Sequence, residues 1–562
     1  MAWVGRASLI ALALGLALSA CGRTPEPEPD PTTTPQTTAL GPVSGINQTD
    51  RDRIDGGGDL RLAVTAWPSQ WNPWAQTSDQ STDWLLDPLR SRLFDITASG
   101  GLQPNPDWLT QPPTVTTDPD TVVIYHLNPA VRWGDGQPVG LVDFQATWQA
   151  CAGGDPARRC LSQYGFDRIL TIEAGPEPGD VQITYSGSYP AWPLTFLHGP
   201  ARAESVATAE AFNHGWSDPA AQPGWWAGPF TAVATDLEAG RLELVPNSQW
   251  WGAEPLLDRL TFVRLDSDQL VEAFDRQEID AWPLGLEPSL HVAADRHENV
   301  QIRRAPSLTW RALSLAQTDS PLADRRVRQA ILAGLDRGLV GQAALAGLEW
   351  TVETIGNLAW QPGQARYSDL TESSGLGLNL ERAQAVLDQA GWTLGPDGLR
   401  RRNGQPLSLR LGRSANDPAG EAEALQIAAQ LARLGVTVEL AVEPGEASAL
   451  IRSGAFDLVL LAWSNSIYPA DALAAWFTTG AASNPTGYSS QTVDSLLASA
   501  AVVMDPDTRA TLLGSAVNIL WRDVALLPLY AVPETWAALP RLANLGPTGW
   551  ATLRWEDVGF TS

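Results

Sequence analysis

Leu407-Ser-Leu-Arg-Leu411, Val436-Thr-Val-Glu-Leu-Ala-Val442 and Phe456-Asp-Leu-Val-Leu-Leu-Ala462 decide the fold. The first two alternate apolar and polar residues as strands do, and the third is a nearly continuous apolar run. Between them, residues 419–434 carry helical spacing and stop at Gly435, and a shorter helix precedes Phe456. The order β-α-β-α-β predicts a parallel sheet with right-handed crossovers. Ligands of such sheets sit just beyond the carboxyl ends of the strands. Trp463, Ser464, Asn465 and Ser466 are therefore expected at a cleft edge.

Upstream, Asp324 caps a predicted helix whose Val327, Ala330, Ile331 and Leu335 form an apolar stripe. Its arginines are expected to be solvated or salt-bridged. Asn379–Gly391 reads as another capped helix, with Gly391 as its stop. Near the start of the folded chain, Gly56-Gly57-Gly58 precedes a strand, Leu60–Val64. A loop with three indoles, Trp67, Trp71 and Trp74, follows it. Those rings either line a cleft or fill a core.

The chain has 562 residues, 44% of them hydrophobic, enough for two or three domains with their own cores. It carries 63 acidic residues against 37 basic ones, every one of them Arg, for a net charge of -26. Such a chain is a poor partner for nucleic acid, and none is expected. The five histidines, His126, His198, His214, His291 and His297, are scattered without metal or triad spacing. The Gly-x-Ser-x-Gly elbow and the paired-histidine zinc motif are absent. No enzyme activity, metal or cofactor is expected.

Leu127-Asn-Pro-Ala-Val-Arg-Trp-Gly-Asp-Gly-Gln-Pro-Val-Gly-Leu-Val-Asp-Phe-Gln-Ala-Thr-Trp148 reads as a strand end, a turn at Gly134-Asp135-Gly136 and a helix start. Phe144 and Trp148 lie one helical turn apart. The segment resembles the signature of the family 5 extracellular solute-binding proteins, the oligopeptide- and dipeptide-binding group of ABC importers. Gly228-Pro229-Phe230, Asn247-Ser-Gln-Trp-Trp-Gly252, Glu278-Ile-Asp-Ala281, Gly487-Tyr488-Ser489 and Leu527-Pro-Leu-Tyr530 follow in the family's order. The resemblance runs from about Gly56 to Tyr530.

It implies an α/β, periplasmic-binding-protein-like fold (type II, cluster C): two lobes with mixed sheets, an extra subdomain in lobe one and an interlobe cleft. Lobe one is expected over 56–305, with the extra subdomain at about 85–200. Lobe two spans 306–529, and 530–562 return to lobe one. The function implied is capture of a peptide or peptide-like ligand by a monomer, and delivery to an ABC permease and its ATPase. Trp67, Trp71, Trp74, Trp310, Trp463, Ser464, Asn465, Ser466, Asp471 and Tyr488 are the cleft candidates.

Residues 1–20 read as a signal peptide, with Arg6 before the apolar run Leu9–Leu18, too short to span a membrane. Leu18-Ser19-Ala20-Cys21 resembles the lipobox of bacterial lipoproteins. It implies lipidation of Cys21 and attachment to the outer face of the cytoplasmic membrane through that anchor alone. Residues 21–55, rich in Pro, Thr, Glu and Gln, read as a disordered tether. In an oxidising compartment Cys151 and Cys160 form a plausible disulfide. Two buried thiols are the alternative, and the spacing is wide for zinc.

One departure from the family bears on the ligand. Peptide binders resembling this chain carry an Asp three residues after the tryptophan that ends the strand, where it pairs with the peptide's amino group. Here that position is Ser466, and the nearest acid is Asp471. A charged hydrogen bond is worth about 1.5–3 kcal/mol, so its loss weakens amine recognition roughly tenfold or more. Either Asp471 substitutes through a longer loop, or the ligand is not an ordinary peptide. The 25 tryptophans suit apolar or sugar faces as well as a core. The alternative is a non-transport lipoprotein binding or regulating glycolipid, as in the actinobacterial members linked to phosphatidylinositol mannoside and lipoarabinomannan assembly.

Overall fold

The computed structural model describes residues 44–562, except 69, 76–79, 161–164, 482, 483 and 485. The signal peptide, Cys21 and most of the tether lie outside the described residues.

Ten strands form one mixed sheet. They are β1 (Asp59–Val64), β2 (Phe230–Asp236), β3 (Arg241–Pro246), β4 (Arg259–Arg264), β5 (Ala281–Pro283), β6 (Gln301–Leu315), β7 (Ser408–Ser414), β8 (Thr437–Glu443), β9 (Leu458–Ser464) and β10 (Leu527–Ala538). Their order is β8-β7-β9-β6-β10-β5-β1-β4-β3-β2. β7 is parallel to both β8 and β9, with helices Gly420–Ala432 and Ala447–Arg452 as the crossovers. The predicted β-α-β-α-β unit is therefore one end of the sheet, and β1 with β4, also parallel, belongs to the other.

β6 and β10 are long enough to pass through both halves. They pair from Gln301↔Ala538 to Pro306↔Pro533, slip in register, and resume at Trp310↔Ala531 and Leu313↔Leu527. The apolar cores divide at the same place. One cluster gathers Trp310, Leu409, Leu458 and Tyr530; another gathers Leu60, Phe262, Trp536 and Phe560.

A four-stranded antiparallel sheet, Leu109–Thr117, Thr121–Leu127, Asp180–Tyr185 and Ile169–Ala174, packs its apolar face into the second of those clusters. The signature turn feeds the helix Leu141–Cys151 beside it. Gly136 holds φ at +82°, a left-handed value glycine accepts without strain. A side chain on Gly134 would meet the Pro223 carbonyl oxygen at 2.3 Å. Asp143 is buried in the helix's first turn. Its carboxylate accepts from Trp133 Nε1 (3.1 Å), the Gly140 amide (3.1 Å) and the Ala203 amide (2.9 Å). Burial raises its pKa against those three bonds, which hold it down. Cys151 and Cys160 form a disulfide, with a Cα–Cα distance of 5.2 Å.

Two expectations are corrected. Residues 45–55, read as the end of a disordered tether, are tied to the last strands of the chain. The Gly45 amide donates to Pro547 O (2.7 Å), the Thr49 amide to Asn544 Oδ1 (2.8 Å), and Arg51 pairs with Asp557 at 2.6 Å. A reading based on apolar content misses a segment held almost wholly by polar bonds. Arg328, in the arginine-rich helix, is buried and not solvated. It donates to the backbone oxygens of Asp523 (2.8 Å) and Leu322 (2.7 Å).

Candidate functional site

The strand directions define where a ligand would lie. β1 is parallel to β5, β5 antiparallel to β10, β10 antiparallel to β6, and β6 antiparallel to β9. β1 and β9 therefore run towards each other, and both end at the β6–β10 slip. Val64–Trp67 leave the end of one; Ser464–Ser466 leave the end of the other. Two sets of carboxyl-terminal strand ends converge on one hinge, the arrangement that hosts ligands in open α/β sheets.

On the lobe-two side the predicted residues divide. Ser464 and Asn465 reach the slip itself: Ser464 Oγ lies 3.3 Å from Thr309 Oγ1, and the Asn465 amide donates to Leu308 O (3.0 Å). Trp310 donates its indole N–H to Asn465 Oδ1 (2.8 Å) and packs, tilted, 5.6 Å from Trp463, which packs in turn on Trp476 at 4.6 Å. At 1% and 6% exposure, Trp310 and Trp463 are core rings under the cleft floor and not surfaces for a ligand. Tyr488 is also corrected. Its ring is buried against Phe477, and its hydroxyl donates to Asp523 (3.0 Å). Ser466 Oγ accepts the Tyr468 amide (3.1 Å), closing a local turn.

On the lobe-one side, Trp71 and Trp74 are buried, Trp74 packing 5.8 Å from Trp216. Trp67 is half-buried, directly after the recess residues 63–66, with its ring 6.0 Å from Trp71. Of the three loop indoles, only Trp67 remains available to the cleft.

Asp471 begins the helix Pro469–Phe477, where desolvation raises its pKa and Arg168 of the four-stranded subdomain opposes the rise. Tyr189, over which Arg168 sits at 5.2 Å, feels the same carboxylate and is itself raised to about 12, chiefly by burial. Nearby, Ser188 donates to the Val502 carbonyl, and Tyr468 packs against the lobe-one core. Asp471 itself is exposed, and Arg168 acts on it through charge without forming an ion pair among the described residues.

Sequence reasoning missed an acid. Glu534 lies on β10, just past the slip, and lines a recess of about 240 Å³ with Val64, Thr65, Trp84, Pro283 and Trp536. Trp536 Nε1 donates to its Oε1 (3.0 Å), and burial raises the carboxyl pKa. Trp84 lies 5.5 Å from Trp536, so two indoles wall the recess. The available signal was one carboxylate in the otherwise apolar run Ala525–Ala538. An interlobe cavity, about 340 Å³, is lined by Gly100–Leu102 from one side and by Trp360, Tyr468 and Arg509 from the other.

The profile of the bacterial extracellular solute-binding proteins, family 5 middle region, matches residues 103–485. The oligopeptide-binding protein OppA of Mycobacterium tuberculosis is 30% identical over 561 residues, covering 99% of this chain and 93% of the relative. A lipoprotein of Mycobacterium leprae described as uncharacterized is 25% identical, covering 79% and 84%. Among solved structures, the periplasmic EDTA-binding protein EppA superposes with a TM-score of 0.82 at 25% identity, covering 93% of this chain and all of that one. With its signature hairpin, ten-stranded two-lobed sheet and full-length likeness to OppA, the chain belongs to the family 5 extracellular solute-binding proteins.

Proposed function

We propose that the chain is the solute-binding protein of an ABC importer, exported and held at the outer face of the cytoplasmic membrane by a lipid on Cys21. It takes a peptide or peptide-like ligand at the β6–β10 hinge and presents it, closed, to a permease. The convergence of β1 and β9 on that hinge carries the reading, because one ligand there touches strand ends of both lobes at once. Closure then follows from the ligand's preference for the state in which both sets of contacts exist. The name of the mycobacterial relative, an oligopeptide-binding protein, supports the ligand class.

The test is thermal melting of the full chain carrying Cys21→Ala, with di- to pentapeptides, phosphatidylinositol mannosides and iron–EDTA as separate probes. A ligand at about 100 times its Kd stabilises by about 2.7 kcal/mol. A shift with peptides alone supports the reading. A shift with only the glycolipid, or only the chelate, overturns the peptide assignment. Release of the Cys21→Ala chain from cell membranes, with retention of the native chain, tests the anchor.

A further inference from the structure

We infer that the recess lined by Trp84, Trp536 and Glu534 binds a positively charged group of the ligand, with Glu534 as its counter-charge. The inference rests on reading the chain as a solute receptor and adds to it the ligand's charge at one defined point.

The carboxylate has one hydrogen bond, from the indole N–H of Trp536, which satisfies Oε1. Among the described residues it has no cationic partner. Each nearby arginine is committed elsewhere. Arg61, on β1, pairs with Asp280 at 2.8 Å. Arg303, on β6, donates to the backbone oxygens of Leu542 and Leu545. Arg304 donates to Leu348 O (3.1 Å) and pairs with Glu349. Three fully buried acids are answered: Asp280 by Arg61, Glu423 by Arg311, and Asp143 by three N–H groups. A half-buried carboxylate without a cation is costly to keep charged, and a ligand that supplies the cation removes the cost.

The walls fit the same group. An ammonium or guanidinium is attracted to the faces of indole rings, and two indoles packed 5.5 Å apart line the recess with the acid. The recess opens at Val64–Ala66, where β1 delivers the chain to the hinge. Asp471 is not an equivalent candidate, because it is exposed and takes no part in the recess. Ser466, at the family's acid position, is used in a turn. The amine-binding charge has moved from the lobe-two loop to the crossing strand.

Glu534→Gln tests this cleanly, since glutamine keeps an oxygen for the Trp536 N–H while removing the charge. The probes are trialanine, N-acetyl-trialanine, n-butylammonium and n-butanol at matched ionic strength, with iron(III)–EDTA as an anion. On the native chain, trialanine is expected to bind at least about tenfold tighter than its acetylated form, and n-butylammonium to raise Tm where n-butanol does not. In Glu534→Gln both preferences are expected to vanish. Equal trialanine affinity in the two proteins overturns the inference and leaves the receptor reading standing. An ammonium effect without any peptide binding does the reverse. An n-butylammonium shift in neither protein, or iron–EDTA bound less tightly by Glu534→Gln, also overturns it.

Discussion

Pro306 and Pro533 stand opposite each other as the last paired rung of β6 and β10 before their register slips. Neither can donate to the ladder, so the rung has no amide hydrogen bond to lose when the strands flex. Beyond it, Ser307 Oγ bonds Val532 O (2.8 Å) and the Thr309 amide donates to Ser307 Oγ (3.0 Å), so side-chain bonds stand in for part of the ladder. A hinge built this way bends where it has fewest backbone bonds.

Amides of 307–309 and 532 are accordingly expected to exchange hydrogen faster than those of 311–315 and 527–530. Exchange read by mass spectrometry checks this. Pro533→Ala introduces an amide at the rung and should lower global stability by about 0.4–1 kcal/mol, read by urea unfolding.

Asp143 holds the signature hairpin, its helix and the Ala203 turn together through three N–H groups. Asp143→Ala leaves three donors without an acceptor and is expected to cost about 3 kcal/mol or more. Asp143→Asn, which keeps one acceptor oxygen, should cost less. Urea unfolding distinguishes the two.

His198 is held neutral. Burial lowers its pKa well below the usual value, Arg90 and Arg92 add to the effect, and its buried Nδ1 has no partner among the described residues. The unfolded imidazole takes a proton near pH 6.5 while the folded one resists until lower pH. Acid therefore loads the unfolded chain first, and stability falls below about pH 6.5. In His198→Gln, the drop in Tm between neutral pH and about pH 5 is expected to be smaller than in the native chain.

Glu534 carries the opposite sign. Burial raises its pKa, so at neutral pH its ionised form counts against folding, and that penalty lessens as pH falls through the raised value. Without ligand, Glu534→Gln should melt at or above the native temperature at neutral pH. A lower Tm for the variant would show that the charge stabilises the empty protein.

Much of this architecture was legible in the sequence. The alternation of Leu407–Leu411 and Val436–Val442 around a helix allows few topologies, and the signature from Leu127 to Trp148 ordered the rest. The site was less legible, for two physical reasons. An indole suits a core as well as a cleft, and nothing local revealed that Trp310 would turn inward to Asn465 or Trp74 to Trp216. An acid's meaning depends on which cations the sheet brings beside it. Asp471 read as a substitute amine-binding acid and lies exposed, whereas Glu534, which no motif marks, lines a recess with Trp536 as its one hydrogen-bond partner.

The central claim is that one ligand bridges the two strand ends at the hinge. Hydrogen exchange of the full chain carrying Cys21→Ala, with and without a saturating di- to pentapeptide mixture, tests it most directly. The expected result is slowed exchange at Val64–Trp67, at Ser464–Ser466 and at 531–536 together. Slowing in one lobe alone, or no slowing with any peptide, would contradict the account.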